Sequence, residues 1–490
     1  MLLRRSLSTL TKGLRPTIRQ LLSQDNKTSP TTPIEVNGWV KSVRRQKRVA
    51  FAVITDGTST AGLQAVFPDP ALARRHACLN YSLTNGAAVH LTGVLTESIG
   101  AGQERELQVH NVNVVGECDP QTYPIQKKTL TTEYLREHAH LRARTDEGAA
   151  ILRLRHSTMR EFHDYFEGQG FCYAHTPIVT SSDCEGAGET FRVGSSSASN
   201  MPSPQSSSLV PASSVVTHKS ITDFFGRPAY LTVSSQLHLE ALSSSVARVF
   251  TINPCFRAER SQTGRHLAEF WMLEAEWAFT DRVGDICQVA EDAIKSVLRQ
   301  PSGDLLSLQE GMDPNRARIL VDAGSTKPWP RITYSDAVKE LEKAQASGQS
   351  FVYPIAWGKS LQSEHERWIA EQLVGGPVFV TDYPSSQKPF YMRRNLGEDT
   401  VACFDLLVPH LGELAGGSLR EERETELRQA ITHHNLSTEE YAWYVDIRKY
   451  GGAPHGGFGL GFERLISWMS GIENVRECIP MPRWAGRMLL

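Results

Sequence analysis

The strongest constraint on the fold comes from one stretch near the middle of the chain, where residues 265–277 read RHLAEFWMLEAEW. Successive side chains of a β-strand point to opposite faces of a sheet. One face of this strand is apolar and carries Trp271, Leu273, Ala275 and Trp277. The other face carries Phe270, Met272, Glu274 and Glu276. The pattern predicts a sheet that packs on a core and presents an aromatic ring beside two carboxylates.

The preceding segment, NPCFRAER, also alternates, with Arg257 and Glu259 on one parity. The loop SQTGRH then leads back into the first stretch, so the two segments predict a hairpin with a flexible basic loop. Surface salt bridges are the alternative explanation for its polar face. The tryptophans on the opposite face of the strand are suited to a hydrophobic core. A polar face on such a strand favours a binding site over surface salt bridges.

A second cluster lies in FDLLVPHLGELAGGSLREER, residues 404–423. Asp405 and Glu413 supply the oxygen ligands that divalent metal ions of the magnesium and calcium type prefer. Arg420 follows two glycines, where backbone can approach a ligand closely. An acidic and basic helix start is the alternative interpretation.

A third cluster is the glycine-rich run GGAPHGGFGLGFERLISWM, residues 451–469. It predicts a glycine-rich turn that leads into an amphipathic helix with Arg464 in its first turn. The positive end of the helix dipole disfavours a cation at this position. The arginine is therefore best explained by a bound anion.

The first part of the chain predicts a separate β-structure. Between Ile34 and Val115 five β-rich segments are separated by turn residues, and a short helical stretch at 69–79 follows the third. This pattern is typical of a small barrel of the OB type, with any other small barrel as the alternative. The turn KSVRRQKR contains Arg44 and Arg45, and Phe51 follows on the next strand. Such groups can bind phosphates and stack on a base, although a solvated turn and a core phenylalanine would look the same.

Composition sets broad limits. The chain has 490 residues and a formal net charge of −2, which neither indicates nor excludes nucleic acid as a partner. No apolar run approaches the roughly 20 residues of a membrane span. The eight cysteines form no CxxC pair, which argues against a zinc site or a disulfide framework.

The N-terminus has the composition of a targeting segment. Residues 1–24 carry five cations among hydroxyl side chains, and the first acid is Asp25. This predicts a mitochondrial transit peptide, with a basic arm that contacts RNA as the alternative. We expect a barrel domain over 30–120, a hinge over 121–145 and one large α+β domain over 146–490. That domain begins with a long helix ending at Gly168 or Gly170, and its serine-rich stretch 194–220 predicts a mobile loop.

Taken together, these motifs resemble a known family, the class II aminoacyl-tRNA synthetases of the aspartate, asparagine and lysine subgroup. FRAER…RHLAEF resembles the second signature motif and GFGLGFERL the third. The helix that leads to AHTPIVTSS resembles the first, which implies a homodimer with Pro177 at its interface. The resemblance covers nearly all of residues 34–490. It departs in the long serine-rich loop and in the tail, where Trp484 replaces an expected threonine–proline. It implies an anticodon-binding OB barrel and a catalytic domain built as an antiparallel sheet flanked by helices.

The resemblance also implies roles for the residues singled out above. Phe270 would stack on the adenine of ATP, and Arg257 would contact the α-phosphate and the amino acid carboxylate. The ATP site would comprise Arg257, Glu259, Arg265, His266, Phe270, Asp405, Glu413 and Arg464. Magnesium would be bound by Asp405 and Glu413. The anticodon would be bound by Arg44, Arg45, Phe51 and Gln64.

The identity of the amino acid rests on the segment LTVSSQLHLE. Ser234 and Gln236 resemble the residues that hold the substrate ammonium, as does Glu185 in a mobile loop. Aspartate enzymes carry a lysine three places after that glutamine, where this chain has Leu239. A substrate carboxylate would stay unpaired there, at a cost of several kcal/mol in a dry pocket.

The resemblance is therefore closest to the asparagine enzymes. The amino acid pocket would comprise Glu185, Ser234, Gln236, Arg257, Glu274, Glu276 and Arg420. Arg420 would donate to the amide oxygen, and Glu274 would accept from the amide nitrogen. This implies ATP-dependent ligation of asparagine to tRNA(Asn) in the mitochondrial matrix. There are two alternatives: a relaxed enzyme that also charges aspartate, and a catalytically inactive relative that binds RNA. The presence of Arg257 and Arg464 argues against the inactive relative.

Overall fold

A computed structural model describes residues 13–23, 32–68, 83–100, 102–181, 190–194 and 224–490. The chain divides into two compact units, Met1–Arg155 with Leu489–Leu490, and His156–Met488. The helical stretch expected at 69–79, Glu185 and residues 195–220 of the serine-rich stretch lie outside the described residues. In the part described, no helix is both long enough and apolar enough to cross a bilayer.

Five strands of the first unit close into a barrel. They are β1 (Pro33–Arg45), β2 (Ala50–Thr55), β3 (Leu63–Phe67), β4 (Ala88–Glu97) and β5 (Arg105–Gly116). Their order is β1-β2-β3-β5-β4, with β3 and β5 parallel and the other neighbours antiparallel. Alternation builds the core, because Ala50, Ala52 and Ile54 are buried on β2 while the residues between them are partly exposed. The predicted OB-type barrel is confirmed.

A short helix, α1 (Ile18–Leu22), packs on the barrel core. The side chains of Ile18 and Leu21 are each 1% exposed. The Ile18 backbone N–H donates to Asp56 Oδ2 over 2.7 Å. The end of the predicted transit peptide therefore has a structural role in the barrel.

Three helices follow the barrel: α2 (Thr132–Glu137), α3 (Ala139–Arg142) and α4 (Asp146–Gly168). The predicted end of the long helix at Gly168 is confirmed. Its buried side chains recur every three or four residues, at Ile151, Leu154, Thr158, Phe162 and Phe166. This spacing places them on one face of the helix.

The second unit is built on an eight-stranded sheet. The strands in this part of the chain are β6 (Cys172–Tyr173), β7 (Val179–Thr180), β8 (Arg192–Val193), β9 (Ala229–Leu231), β10 (Arg248–Phe256), β11 (Glu269–Ala278), β12 (Arg331–Thr333), β13 (Val378–Thr381), β14 (Cys403–Val408), β15 (Gly412–Leu419) and β16 (His455–Gly461). The large sheet has the order β12-β13-β14-β15-β16-β11-β10-β6, and β7, β9 and β8 form a small second sheet. The outer pairs β12–β13 and β10–β6 are parallel, and the inner pairs are antiparallel.

Helices flank the large sheet, which confirms the predicted catalytic-domain architecture. They are α5 (Gln236–Val246), α6 (Val283–Leu298), α7 (Gly303–Leu308), α8 (Pro314–Ala323), α9 (Tyr334–Ala346), α10 (Ser363–Trp368), α11 (Glu424–His433), α12 (Ala442–Lys449) and α13 (Phe462–Ser470). A π-helical stretch, Ile369–Val374, continues α10. Short 3-10 turns lie at Ser385–Gln387 and Val475–Glu477.

The predicted hairpin forms from β10 and β11, with one correction. β10 ends at Phe256, so Arg257 and Glu259 lie in the loop and not on the strand as the alternation predicts. One further backbone bond, from the Arg257 N–H to the Ala268 carbonyl over 3.0 Å, extends the pairing. Three loop residues, Glu259, Arg265 and His266, line a cavity together with Phe270 and Met272 of β11.

We expect Ile18→Ala to lower the free energy of unfolding of the barrel by about 2–5 kcal/mol, because it removes buried methyl groups. Leu14→Ala is the matched control, since Leu14 is 67% exposed and its truncation should cost less than about 0.5 kcal/mol. Denaturant unfolding followed by circular dichroism measures both. Equal effects would contradict the packing of α1.

Candidate active site

The sheet brings the two carboxylates of β11 against a strand of glycines. Glu274 lies opposite Gly459, and Glu276 lies opposite Gly457. A Cβ on Gly457 would lie 2.1 Å from Glu276 Oε2, so no larger residue fits there without displacing the carboxylate. The glycine at position 457 thus leaves room for Glu276, and the two acids, Glu274 and Glu276, are 3% and 1% exposed.

Glu276 forms a buried ion pair with Arg420, the residue after β15. Arg420 Nη2 donates to Glu276 Oε2 over 2.8 Å, and Nε lies 3.2 and 3.3 Å from the two carboxylate oxygens. Nη1 donates to Ser418 Oγ over 2.6 Å. Burial alone would lower the pKa of Arg420, but the charge of Glu276 holds this pKa above its ordinary value. The arginine is therefore charged and fixed in orientation.

A third buried acid, Glu240 on α5, lies behind this pair. Its Oε1 accepts from Gln236 Nε2 over 3.0 Å and lies 3.8 Å from Arg420 Nε. Its Oε2 accepts from three donors, Arg448 Nη2 at 2.7 Å, Tyr444 OH at 2.6 Å and His455 Nε2 at 3.0 Å. Burial alone would raise the pKa of Glu240, but Arg448 and His455 hold it well below its usual range.

Glu274 organises the start of α5. Both of its oxygens accept from the Ser235 backbone N–H, at 2.9 and 3.1 Å, and Oε1 also accepts from the Ser234 hydroxyl. Burial raises the pKa of Glu274, and these hydrogen bonds oppose that shift. Ser234 is thereby held beside the carboxylate.

These side chains line a cavity of about 340 Å³. Its walls include six of the residues predicted for the amino acid, Ser234, Gln236, Arg257, Glu274, Glu276 and Arg420. Leu239 adds an apolar wall and is 1% exposed. The cavity therefore combines three cationic side chains, Arg257, Lys388 and Arg420, with four acidic ones, and position 239 carries no lysine.

A second cavity, of about 140 Å³, shares walls with the first. It is lined by seven of the residues predicted for ATP, Arg257, Glu259, Arg265, His266, Phe270, Glu413 and Arg464. Arg257 and Glu413 line both cavities. The Arg257 guanidinium lies 5.5 Å from the centre of the Phe270 ring. Three arginines around one aromatic ring suit a ligand that carries both a base and phosphates.

Arg464 lies in the first turn of α13, as predicted. Its Nη1 donates to the Glu413 carbonyl oxygen over 3.1 Å and lies 3.5 Å from Glu413 Oε2. Burial alone would raise the pKa of Glu413, but Arg464 and Lys388 lower it. Glu413 therefore stays ionised and holds Arg464 at the edge of the second cavity.

The two carboxylates predicted for a metal ion lie near one glycine of β15. Asp405 lies opposite Gly416 on β15, and a Cβ on Gly416 would stand 3.4 Å from Asp405 Oδ1 and 3.6 Å from Glu413 Oε1. Lys388 Nζ donates to both oxygens of Asp405, at 2.8 and 2.9 Å. Burial raises the pKa of Asp405, and Lys388 opposes that shift. Asp405 and Glu413 thus offer carboxylate oxygens, the ligand type that a hard divalent cation such as magnesium prefers.

Sequence reasoning misses several groups of the site. Glu366, on α10, accepts from the Glu413 backbone N–H over 3.3 Å, and burial together with the charge of Glu413 raises its pKa to about 7. Glu240, Lys388 and Arg448 also belong to the site without a motif of their own. The one available signal is a charged residue in an apolar helical stretch, as in LHLEAL around Glu240.

Within the described ranges, one compact group of possible metal ligands is Glu240, Glu276 and His455, whose ligand atoms lie within 4.8 Å of one another. Arg420 and Arg448 already neutralise its two carboxylates. We therefore assign this group to an ionic network and not to a metal site.

Three of the four residues predicted for the anticodon, Arg44, Phe51 and Gln64, lie on the outer face of the barrel. Phe51 is partly exposed, and Gln64, which donates to Glu106 over 3.2 Å, lies on the neighbouring strand. The Arg44 guanidinium lies 5.4 Å from the centre of the Phe51 ring. Arg45 instead donates to a loop carbonyl, at residue 83, over 2.9 Å. The structure thus brings three of the four residues onto one face.

Two family models match the chain. The family described as tRNA synthetases class II (D, K and N) matches residues 131–485, and the family described as OB-fold nucleic acid binding domain matches residues 34–115. The first match covers most of the chain and includes all residues that line the two cavities.

Individual relatives agree with these matches. The chain is 43% identical to an asparagine–tRNA ligase of Thermosynechococcus vestitus, over 92% of this chain and 96% of the relative. It is 42% identical to an asparagine–tRNA ligase of Protochlamydia amoebophila, over 97% and 98%. Among solved structures, the asparaginyl-tRNA synthetase from Pyrococcus horikoshii complexed with asparaginyl-adenylate is similar with a TM-score of 0.80 and 26% identity, covering 97% of this chain and 100% of that one.

The buried pair predicts a large difference between two acid-to-alanine changes. Glu276→Ala leaves the charge of Arg420 buried and should cost about 3–5 kcal/mol of unfolding free energy. Asp336→Ala removes a surface pair with Lys339, both side chains being more than half exposed, and should change stability little. Urea unfolding of the ligand-free protein measures both, and a small effect of Glu276→Ala would contradict the buried pair.

Proposed function

The chain belongs to the class II tRNA synthetases (D, K and N), and from this premise we propose that it joins asparagine to tRNA(Asn) through an asparaginyl-adenylate. The observation that carries the proposal is the cavity in which Arg420, already paired with Glu276, lies with Glu274 and Leu239. The asparagine–tRNA ligases among its relatives support this choice of amino acid.

ATP occupies the second cavity in this proposal. Phe270 offers its ring to the adenine, and Arg464 closes the opposite side. Arg257 stands on the wall that both cavities share, so it reaches the α-phosphate and the asparagine carboxylate together. Arg265 and His266 belong to the loop over the phosphates. These groups act by positioning the reactants and by offsetting negative charge.

Magnesium would be held by Asp405 and Glu413, whose oxygens lie near Gly416. Bound there, it would neutralise charge on the phosphates. Lys388 balances the charge of Asp405, and Glu366 fixes the backbone of Glu413 through the N–H described above. Both residues keep the two carboxylates in place.

The chemistry proceeds in two transfers. An oxygen of the asparagine carboxylate attacks the α-phosphorus of ATP, and the bond from that phosphorus to the oxygen bridging it to the β-phosphorus breaks, so that pyrophosphate leaves. A ribose hydroxyl at the 3′ end of the tRNA then attacks the activated carbonyl carbon, and AMP leaves. Arg257 holds the attacking carboxylate and the α-phosphate in line during the first transfer.

The asparagine side chain is read by one donor and one acceptor. A guanidinium has five N–H groups, of which Glu276 and Ser418 take three on Arg420 within the described structure. The remaining N–H groups donate to the amide oxygen, and Glu274 accepts from the amide nitrogen. An aspartate would present a second oxygen to Glu274, and Leu239 offers it no cation. Sites of this kind can discriminate by about 10⁴-fold.

The substrate ammonium is assigned to Ser234 and Gln236. Because Gln236 Nε2 donates to Glu240, its amide oxygen is turned away from that acid and remains as the acceptor for an ammonium group. Glu185, which lies outside the described residues, would add a negative charge.

Aminoacylation tests the proposed function directly. Purified protein with ATP, magnesium and a tRNA(Asn) transcript should attach labelled asparagine and fail to attach aspartate. Efficient attachment of aspartate would support the relaxed enzyme. No attachment of either amino acid would support an RNA-binding relative without activity.

Substitutions in the first cavity should alter amino acid preference in the pyrophosphate exchange assay. Leu239→Lys should favour aspartate, because it supplies the cation that a carboxylate needs. Glu274→Gln should raise KM for asparagine by about tenfold and weaken the exclusion of aspartate. Phe270→Ala is the control from the second cavity and should raise KM for ATP alone. Unchanged preference in both pocket variants would show that the amino acid binds elsewhere.

The barrel binds the anticodon in this proposal, with Phe51 stacking on the central uridine and Gln64 reading its edge. Base stacking contributes about 1–3 kcal/mol. Phe51→Ala should therefore weaken tRNA charging by about ten- to a hundredfold and leave pyrophosphate exchange, which needs no tRNA, unchanged. An equal loss in both assays would show that Phe51 acts only in barrel packing.

The protein is proposed to act as a homodimer. Pro177, Ile178 and Val179 are exposed at the point where the family resemblance predicts the interface. An apolar run of this kind is suited to contact with a second copy.

A mitochondrial location is proposed from the basic N-terminus. Ile18 and Leu21 lie in the barrel core, and Arg15 pairs with Glu35 of β1. We therefore assign targeting to the earlier cations, Arg4, Arg5 and Lys12. Deletion of residues 2–12 should abolish import into isolated mitochondria and leave asparagine charging intact. Import that survives the deletion would exclude this segment as the signal.

A further inference from the structure

Glu240 occupies an unusual position relative to the amino acid cavity. It is 1% exposed and is absent from the cavity wall, yet two side chains of that wall, Gln236 and Arg420, meet its carboxylate. The two belong to opposite ends of the proposed substrate, since Gln236 faces the ammonium and Arg420 faces the side-chain amide. One buried acid thus connects the groups that define both ends of the pocket.

The two oxygens of this carboxylate have different partners. Oε1 faces the substrate-binding side chains Gln236 and Arg420. Oε2 is held by donors from α12 and β16, namely Arg448, Tyr444 and His455. Donors from α12 and β16 therefore fix one oxygen of the carboxylate, and the other oxygen contacts two side chains of the cavity wall.

Stability alone does not explain this arrangement. A buried ion pair often contributes no more than well-packed apolar residues of the same volume, because taking two charges out of water is costly. A network with every member satisfied does, however, fix side chains in one geometry. The benefit expected here is a fixed distance between Gln236 and Arg420.

We propose that Glu240 is a positioning residue that sets the spacing of the asparagine pocket and excludes aspartate by offsetting the charge of Arg420. This inference rests on the proposed function. Arg420 and Arg448 bring two positive charges, and Glu240 and Glu276 bring two negative charges in direct pairing with them. Removal of the charge of Glu240 leaves Arg420 opposed by Glu276 alone, so the pocket gains positive potential and accepts a carboxylate more readily.

Glu240→Gln tests the proposal, with Glu291→Gln as the matched control. Glu291 is also 1% exposed and pairs with a buried lysine, Lys295, but it lines neither cavity. Pyrophosphate exchange gives KM and kcat for asparagine, aspartate and ATP, and thermal unfolding gives Tm. Glu240→Gln should raise KM for asparagine by about ten- to a hundredfold and reduce the preference over aspartate by about tenfold, with KM for ATP within about twofold. Glu291→Gln should lower Tm and leave all KM values unchanged.

Tyr444→Phe covers the case in which Glu240→Gln fails to fold. It removes one donor to Oε2 and keeps the ring, so KM for asparagine should rise by about two- to tenfold in a folded protein. The proposal is overturned if folded Glu240→Gln keeps the wild-type KM for asparagine, if KM for ATP rises equally, or if Glu240→Gln does not fold and Tyr444→Phe binds asparagine normally. A wild-type protein without asparagine-dependent exchange would instead refute the proposed function.

Discussion

The buried pair of Arg420 and Glu276 is the constraint on which the rest of the site depends. An arginine taken out of water needs an acid at hydrogen-bond distance, and Glu276 supplies it at 2.8 Å. The acid in turn needs a neighbouring strand without a side chain, because a Cβ on Gly457 would lie 2.1 Å from its oxygen. The glycine at position 457 of β16 is therefore a consequence of placing a charged pair inside an antiparallel sheet. The N–H groups of Arg420 that do not bind Glu276 or Ser418 can donate to a neutral amide. Because Glu276 offsets the charge of Arg420, the pair attracts a carboxylate only weakly.

The same sheet places the two cavities, one for a neutral side chain and one for phosphates, at different positions along β11. Toward the end of β11 that carries Glu276, opposite charges are balanced and the cavity suits a neutral side chain. Toward Phe270, the arginines at 257, 265 and 464 bring three guanidinium groups to the cavity wall, and guanidinium groups suit phosphates. Arg257 and Glu413 line both cavities, so an activated carboxylate and an α-phosphate can meet there. Positioning by a rigid sheet is thus the main contribution of the protein to the chemistry.

The sequence predicts the parts that local periodicity controls. Alternation along residues 270–277 and the five β-rich segments before residue 116 give the sheet and the barrel, because a strand must present one face to a core. Arg464 is identified correctly because a cation in the first turn of a helix is electrostatically unfavourable without a bound anion. Lys388 and Glu366 are missed because each reaches the site from a separate element, and its partner is determined by tertiary packing. Glu240 is missed although it lies on the same helix as Gln236, because its partners Arg448, Tyr444 and His455 come from distant parts of the chain. The loop position of Arg257 is missed because alternation continues in the sequence after β10 has ended. The role of Ile18 is missed because its basic surroundings indicate targeting, while its burial depends on the barrel.

The most direct test of this account is amino acid-dependent pyrophosphate exchange by the unmodified protein with asparagine and with aspartate. A pocket with a neutralised Arg420 and an apolar residue at position 239 should support exchange with asparagine and disfavour aspartate by about 10³- to 10⁴-fold in kcat/KM. Comparable exchange with the two amino acids would contradict the account, because it would show that the buried Arg420–Glu276 pair does not select a neutral side chain.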